Sequence, residues 1–486
     1  MVLSGCQKFA YSVGHVLNDL CASMWFSYLL VFFHKILQFS NSMSGYILLV
    51  GQIADGIATP FVGYESDKSS ITCKYGRRKS WHLVGTICVT LTFPLLYMHC
   101  IGCSQTTAEY AQFVYYAPLV VIFQFGWAST QINHLALIPD LTNNDGDKVT
   151  LNAFRYAFTV FSSILVYGIA WLVLDLPGST SNGHELSPID APSFRNLVLS
   201  VVGIGIVFSG IFHFVLKEPP RTAHASPGLT VNGPDETETL LSHGDQGLSE
   251  KTTLLRKQTS DTVTSTSNML HWYQWFKKLP FYQMAMLYMC TRLVVNLSQV
   301  YLPMFLTDTL KMHKKFIAIV PLIAYLSSFL AALLVRPISK IVRQEVMYFW
   351  GAAFVVSSCV WGNFIPEQSM QIFGQAILLG FGNSIILIMS LSMTARLIGK
   401  ETATGAFVYG AMSLTDKISN GIAVVVIQNL NPCKCNCPLC AIYFRTVMTY
   451  VIGGIMLVAV VTLFITAITR KNEPLDDGRR AGTAEA

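Results

Sequence analysis

Apolar residues in this chain gather into runs of about twenty, separated by polar connections. That is the length a helix needs to cross the hydrocarbon core of a bilayer. About twelve such runs lie near 8–33, 43–63, 80–99, 111–138, 150–174, 195–216, 280–305, 316–337, 346–365, 370–396, 403–428 and 442–469. Between the sixth and seventh, residues 217–279 are rich in Ser, Thr, Gly, Pro and charge. Such a composition cannot bury a core and predicts disorder. Six spans, a polar linker and six spans is the pattern of two packed repeats. The expected fold is an all-α membrane protein of twelve transmembrane helices in two six-helix bundles, 1–216 and 280–470. A cytosolic linker at 217–279 joins them, and a disordered cytosolic tail follows at 471–486.

Composition agrees with a chain solvated mainly by lipid. Charged residues make up 12%, about half the roughly 25% of soluble domains. The net charge of +6 does not signal nucleic acid, because the basic residues sit between apolar runs and not in a patch interleaved with aromatics. If the N-terminus is cytosolic, the 2–3 connection carries Lys68, Lys74, Arg77, Arg78 and Lys79, the 8–9 connection Arg336, Lys340 and Arg343, and the tail Arg470, Lys471, Arg479 and Arg480. The other side carries fewer: Lys35, Lys311, Lys314, Lys315, Lys434 and, at helix edges, Arg195 and Arg445. This bias places both termini in the cytosol. The first run contains His15, Asn18 and Asp19; a cleaved signal has a shorter, purely apolar core, so this run reads as a retained helix.

Six cysteines fall in two loops on the non-cytosolic side: Cys100 and Cys103 in one, and Cys433, Cys435, Cys437 and Cys440 in the other. Four cysteines could surround a zinc ion. Their spacing is tight, however, and an oxidising lumen or exterior favours disulfides. Disulfides, with no metal and no cofactor, are the expectation.

Ionisable groups at mid-membrane cost about 2.5–3.5 kcal/mol each on insertion scales and mark solute or proton pathways. His15, Asn18 and Asp19 share one face of the first helix, and Gln52, Asp55 and Thr59 one face of the second. The fourth span aligns Gln124 and Gln131, with Asn133 and His134 near its cytosolic end, and Arg155 opens the fifth. Arg292, Asn296 and Gln299 share a face of the seventh; Asn383 lies in the tenth, and Asp416 and Lys417 in the eleventh. For the amides, interhelical glue is the competing reading. Asp416 and Lys417 point about 100° apart, so Lys417 is free to meet Asp19 or Asp55 across a central cavity and to gate it. Asn296-Leu-Ser298 matches a glycosylation sequon but lies inside a span. The Gly51 to Gly63 spacing suggests close helix packing. Neither a nucleophile–base–orienter set nor a phosphate-binding loop is present, which removes the enzyme classes.

Gly63-Tyr-Glu-Ser-Asp67-Lys68 followed by Tyr75-Gly76-Arg77-Arg78-Lys79 resembles the 2–3 loop signature of the major facilitator superfamily. In that signature Gly63 would allow close helix approach, and Asp67 would cap or pair with basic groups and stabilise one state of the carrier. The stretch inserted before Gly76, and Ile138-Pro139-Asp140-Leu141-Thr142 followed by Arg155, look like the branch containing the melibiose carrier, the glycoside-pentoside-hexuronide:cation symporters. The second helix of that branch carries two acids, four apart, that bind the coupling cation. Asp55 matches the first, but Thr59 stands at the second, and Gln131 stands where the fourth helix has an acid. Asp19 and Lys417 do match. The lost acids argue against sodium and leave either a proton, carried by Asp19 or Asp55, or uncoupled transport.

Three further segments, Asn18-Asp-Leu-Cys-Ala-Ser-Met-Trp-Phe26, Ile122-Phe-Gln-Phe-Gly-Trp-Ala-Ser-Thr-Gln131 and Gly405-Ala-Phe-Val-Tyr-Gly410, look like vertebrate members of the superfamily found in lysosomes and melanosomes. Those members are associated with cysteine import and pigmentation. This resemblance implies cysteine as the solute; composition and spacing do not. Cysteine is a zwitterion, whose carboxylate Arg292 or Lys417 could hold and whose ammonium Asp19 or Asp55 could hold. A sugar would want carboxylates, amides and a stacking aromatic such as Trp25 or Trp127, so a sugar or other small-solute:cation symporter is the rival. A non-transporting receptor or scaffold is the rival of another class, opposed by the insertion cost of the charges. In the 6–7 linker, Glu236-Thr-Glu-Thr-Leu240-Leu241 and Glu250-Lys-Thr-Thr-Leu254-Leu255 resemble acidic dileucine signals read by adaptor proteins, an address to lysosome or melanosome. A disordered segment is where partner-read motifs sit.

Overall fold

The structure, a computed structural model, describes residues 4–68, 75–104, 106–142, 144–175, 186–218, 272–339, 341–399, 405–432 and 438–472. Both dileucine segments, with Glu236, Leu240, Leu241, Glu250, Leu254 and Leu255, lie outside the described residues, as do Cys433, Cys435, Cys437 and the side chain of Cys440.

Among the described residues, twelve long helical rods match the twelve apolar runs. The first, α1, is Gly5–Ile36; it breaks at Gly14 and His15 and closes in a π turn, Phe32–Ile36. There follow α2 (Asn41–Lys68), α3 (Arg77–Leu96), α4 (Glu109–Leu141), α5 (Asp145–Asp175) and α6 (Ala191–Val215). The second half has α7 (Leu279–Met304), α8 (Phe316–Ile338), α9 (Gln344–Phe364), α10 (Gln371–Ile398), α11 (Gly405–Asn429) and α12, which runs from Pro438–Thr446 through a π turn at Val447–Val451 into Ile452–Asn472. Helices keep every backbone group bonded inside the segment, which a lipid solvent demands. Eight rods are long and apolar enough to cross a membrane on composition alone. The other four carry the polar burden: α3 opens on Arg77, Arg78 and Lys79, α9 on Gln344 and Glu345, and α7 and α11 hold Arg292 and the Asp416–Lys417 pair.

The halves repeat each other locally. Like α1, α7 ends in a π turn, Phe305–Thr309. Each turn is followed by a non-glycine residue at positive φ, Gln38 at 59° and Lys311 at 48°. Described residues make ordered contacts at both ends of the expected linker, 217–279. Glu218 accepts from the backbone N–H groups of Arg78 (3.2 Å) and Lys79 (2.9 Å). A 3-10 turn, Trp272–Lys277, precedes α7, with Trp275 buried. Composition missed this because one aromatic anchor and one capping acid do not alter the polarity of sixty neighbours.

Among the described residues the main helix contacts between the halves pair α1 with α7, α2 with α11, and α5 with α8. On the side away from the termini the halves are tied by side chains. Lys35 meets Asp308 at 2.8 Å and Lys314 meets Asp190 at 2.7 Å. Ser42 donates to Asn429 Oδ1 at 2.6 Å and Asn41 to the Asn431 carbonyl at 3.4 Å. Toward the termini, the ion pairs Lys8–Asp147, Arg78–Asp67 and Arg396–Glu345 each stay within one half. Among the described residues, the side-chain ties between the halves away from mid-bundle therefore lie on the far side and not on the side of the termini. A disulfide joins Cys100 to Cys103 in the far-side loop after α3.

Candidate functional site

One charged pair spans the halves at mid-bundle. Asp55 on α2 lies 2.8 Å from the Lys417 ammonium on α11, with side-chain exposures of 15% and 14%. Lys417 also donates to Thr59 Oγ1 at 2.9 Å, and Thr59 donates to Asp55 Oδ1 at 3.0 Å. Thr59, where the related branch carries a second acid, thus bridges acid and base. Gln52, one turn before Asp55, packs its stem against α11 at Gly421.

Among the described residues Arg292 pairs with an acid of its own half, although Asp55 of the first half lies near enough to act on its charge. Its Nε meets Asp416 Oδ2 at 2.9 Å, and Asn420 holds Asp416 Oδ1 at 2.5 Å. The reason is geometric: α7 and α11 belong to one bundle, so Asp416 neutralises Arg292 whatever the other half does, while Lys417, about 100° round the helix, projects toward α2. Arg292 keeps 28% of its side chain exposed, the most open charge of the two pairs.

Asp19 is likewise satisfied inside its own half and meets neither Arg292 nor Lys417. Its Oδ1 lies 3.0 Å from His15 Nδ1, and its Oδ2 accepts from Thr159 at 2.9 Å. Arg155 on α5 lies 3.3 Å from His15 Nε2. Asn18 donates to the Trp127 carbonyl, and Gln131 accepts from the Trp127 indole N–H, both at 3.0 Å. Gln299 crosses the halves to Ser27 and Tyr167, each at 3.3 Å. Asn383 donates to Ser298 at 3.2 Å, and Asn296 is buried on α7. The charged members of the expected single cavity set, Asp55–Lys417, Arg292–Asp416 and Asp19–His15–Arg155, therefore form three clusters, the first of which crosses the interface.

The signature around α2 and α3 folds on Arg78. It pairs with Asp67, donates to Ser66 at 2.8 Å and lies 3.8 Å from Asp140. Arg77 donates to the Asp67 carbonyl at 2.6 Å, and the Lys68 ammonium sits 5.7 Å from the Tyr64 ring. Gly76 has φ +104°, and a Cβ there would fall 2.3 Å from Glu218 Oε2. Gly63 does not mediate close packing: a Cβ there would meet nothing within 4 Å, whereas one at Gly51 would strike Trp25 at 2.5 Å.

Sequence reasoning missed Lys314, Asp190, Lys35 and Asp308 as ties between the halves. The signal available was lysines placed on the side that the charge bias disfavours. An apolar groove lined by Val50, Ile57, Phe61, Val121 and Phe125 lies on the outer faces of α2 and α4. It belongs to the lipid-facing surface, not to the polar site.

The chain has relatives over nearly its whole length. Mouse Major facilitator superfamily domain-containing protein 12 is 45% identical over 469 residues, covering 95% of this chain and 93% of that protein. This chain belongs to the major facilitator superfamily. A family described as MFS/sugar transport protein matches residues 10–231. An uncharacterized symporter of Synechocystis is 23% identical, over 86% of this chain and 84% of its own length. Among solved structures, the inward-open xylose transporter XylE of E. coli superposes with a TM-score of 0.62 at 13% identity, covering 97% of each chain; that likeness shows the fold. The facilitator is a multi-pass secondary transporter and not an enzyme.

Proposed function

We propose that this facilitator imports cysteine from the cytosol into lysosomes and melanosomes by alternating access, two bundles rocking about the Asp55–Lys417 contact. The observation that carries the reading is the contact itself, a partly exposed acid and base that neutralise one another between the halves. A zwitterion can exchange into such a pair and leave nothing unpaired. Its carboxylate takes Lys417 or the partly exposed Arg292, and its ammonium takes Asp55. A neutral sugar has no charge to exchange, and breaking the pair for it would strand two desolvated ions. Cysteine is supported by the resemblance in α1, α4 and α11. The organelle address is supported by the two dileucine segments as adaptor sites, and cytosolic termini by the placement of Lys and Arg. Asp19, held by His15 and Thr159, is the candidate proton carrier.

The test is uptake of labelled cysteine, cystine and hexoses into proteoliposomes. Saturable cysteine uptake that excess hexose does not compete is the expected result. Hexose uptake in its place sinks the substrate reading, and uptake of none favours a scaffold.

A further inference from the structure

We propose that Tyr75, His213, His82, His134 and His15 form a proton path through the first half, joining the termini-side surface to Asp19. The path rests on the reading of Asp19 as the proton carrier.

The five groups come from the 2–3 connection, α6, α3, α4 and α1, and their order in space runs inward. Tyr75 Oη lies 2.5 Å from His213 Nδ1, and His213 Nε2 lies 3.1 Å from His82 Nδ1. His82 Nε2 faces the Gly14 carbonyl at 3.2 Å, so that nitrogen carries the proton and the tautomers of this row follow. Tyr75 donates to His213, and His213 donates to His82. The rings of His82 and His134 are 6.0 Å apart, and those of His134 and His15 are 5.5 Å apart. His15 Nδ1 then lies 3.0 Å from Asp19 Oδ1, close enough for an ion pair but without the alignment of a hydrogen bond, so the ring must turn before it can pass a proton on.

A bland account exists for part of this. The break in α1 frees backbone carbonyls, and His82 and His134 bond to those of Gly14 and Tyr11, the latter at 2.8 Å. That account needs two histidines. It explains neither the outward bonds through His213 to Tyr75 nor His134 Nδ1, which is fully buried without a partner among the described residues. A vacant acceptor between two imidazoles is what a relay needs, and chains of His and acid are a recurrent use of ionisable groups inside membranes.

The charges around the row are Arg155 beside His15, Lys79 and Glu218. Lys79 donates to the carbonyls of His213 (3.1 Å) and Leu216 (2.6 Å) and lies 4.4 Å from the Tyr75 ring. Glu218 is bonded to backbone N–H groups. Tyr11 stacks on His134 with ring centroids 4.3 Å apart. Arg155 and Lys79 thus flank the two ends of the row, with Asp19 at its inner end, and the row passes one proton at a time.

In each transfer one bond to hydrogen breaks and one forms. A solvent proton taken by Tyr75 Oη sends the hydroxyl proton to His213 Nδ1, and His213 releases its Nε2 proton to His82 Nδ1. His82 swings from Gly14 and gives its Nε2 proton to His134 Nδ1. His134 gives the Nδ1 proton it received to His15 Nε2 once that nitrogen turns from Arg155, and His15 passes its Nδ1 proton to the Asp19 carboxylate. The net change is one proton from solvent to Asp19, with each ring neutral again after reorienting.

The experiment uses proteoliposomes of the full chain loaded with a pH dye. It compares cysteine-driven proton movement with counterflow of labelled cysteine at equal pH, which needs no net proton transfer. His82→Gln keeps a donor for Gly14 but cannot relay, and His213→Gln breaks the next link; each is expected to slow proton movement at least about tenfold with counterflow retained. Tyr75→Phe is expected to slow it less, since water can reach His213. Proton movement at the wild-type rate in both glutamine variants overturns the path. So does loss of both activities in His82→Gln alongside wild-type proton movement in His213→Gln and Tyr75→Phe. Wild-type vesicles that take up cysteine with no pH change overturn the reading of Asp19 instead, and the path with it.

Discussion

Lys417 has three partners on the opposite half, the Asp55 carboxylate, the Asp55 carbonyl and Thr59. Truncating it leaves the part-buried Asp55 carboxylate without its cation, which costs stability because one charge of the pair stays partly desolvated and unpaired. Lys417→Met is therefore expected to lower the thermal unfolding temperature in detergent and to cut cysteine uptake at least about tenfold. The double variant Lys417→Met with Asp55→Asn should recover most of the stability, because no lone ion remains, and none of the transport. Uptake near wild type in the double variant would show the pair to be structural. Gly76 makes a second residue-scale prediction. Its φ of +104° and the 2.3 Å approach to Glu218 make Gly76→Ala strained by about 1–3 kcal/mol, which a melting curve reads directly. The buried charges themselves were legible in the sequence, since insertion cost marks them. Which one faced which was not: Arg292 with Asp416 and Asp19 with His15 are choices made by packing, and helical periodicity gives only the face of each helix.

At the scale of elements, the twelve rods follow from length and apolarity, and the four that fall short are those given to charge. The break in α1 left no local mark, since Gly14 alone is tolerated in a helix; His82 and His134, distant in sequence, take up the carbonyls it frees. The ties on the far side were invisible for the same reason. Lys314 and Asp190 are 3% and 1% exposed, and a buried pair broken on one side destabilises its surroundings. Asp190→Asn is expected to loosen the contact of the 3-10 turn at Pro188–Asp190 with the loop before α8. In a variant with a cysteine at Ser27, labelling by an impermeant maleimide added on the far side should rise several-fold. Unchanged labelling would mean that the helix packing alone holds that face shut.

For the whole molecule, rocking requires the far-side contacts to part in every cycle. Ser42 and Asn429 already touch at 2.6 Å, so cysteines at both positions are expected to cross-link under mild oxidation, stop uptake and release it on reduction. Transport that continues with the link formed would exclude a rocking motion at that face. The two-bundle plan was legible from six runs, a linker and six runs; the state in which the carrier rests was not, because it depends on contacts between halves that no single segment encodes.

The buried Lys314–Asp190 tie has a pharmacological consequence. With that face shut, a polar blocker of the charged site meets an open vestibule only from the side of the termini. Offered from there, it acts at once and holds the carrier in the form that it binds. Offered from the other side, it waits for turnover to expose the site, so inhibition grows with the number of cycles completed and shows a lag that shortens as substrate rises. A buried pair is little screened by salt, so ionic strength should not abolish that use-dependence.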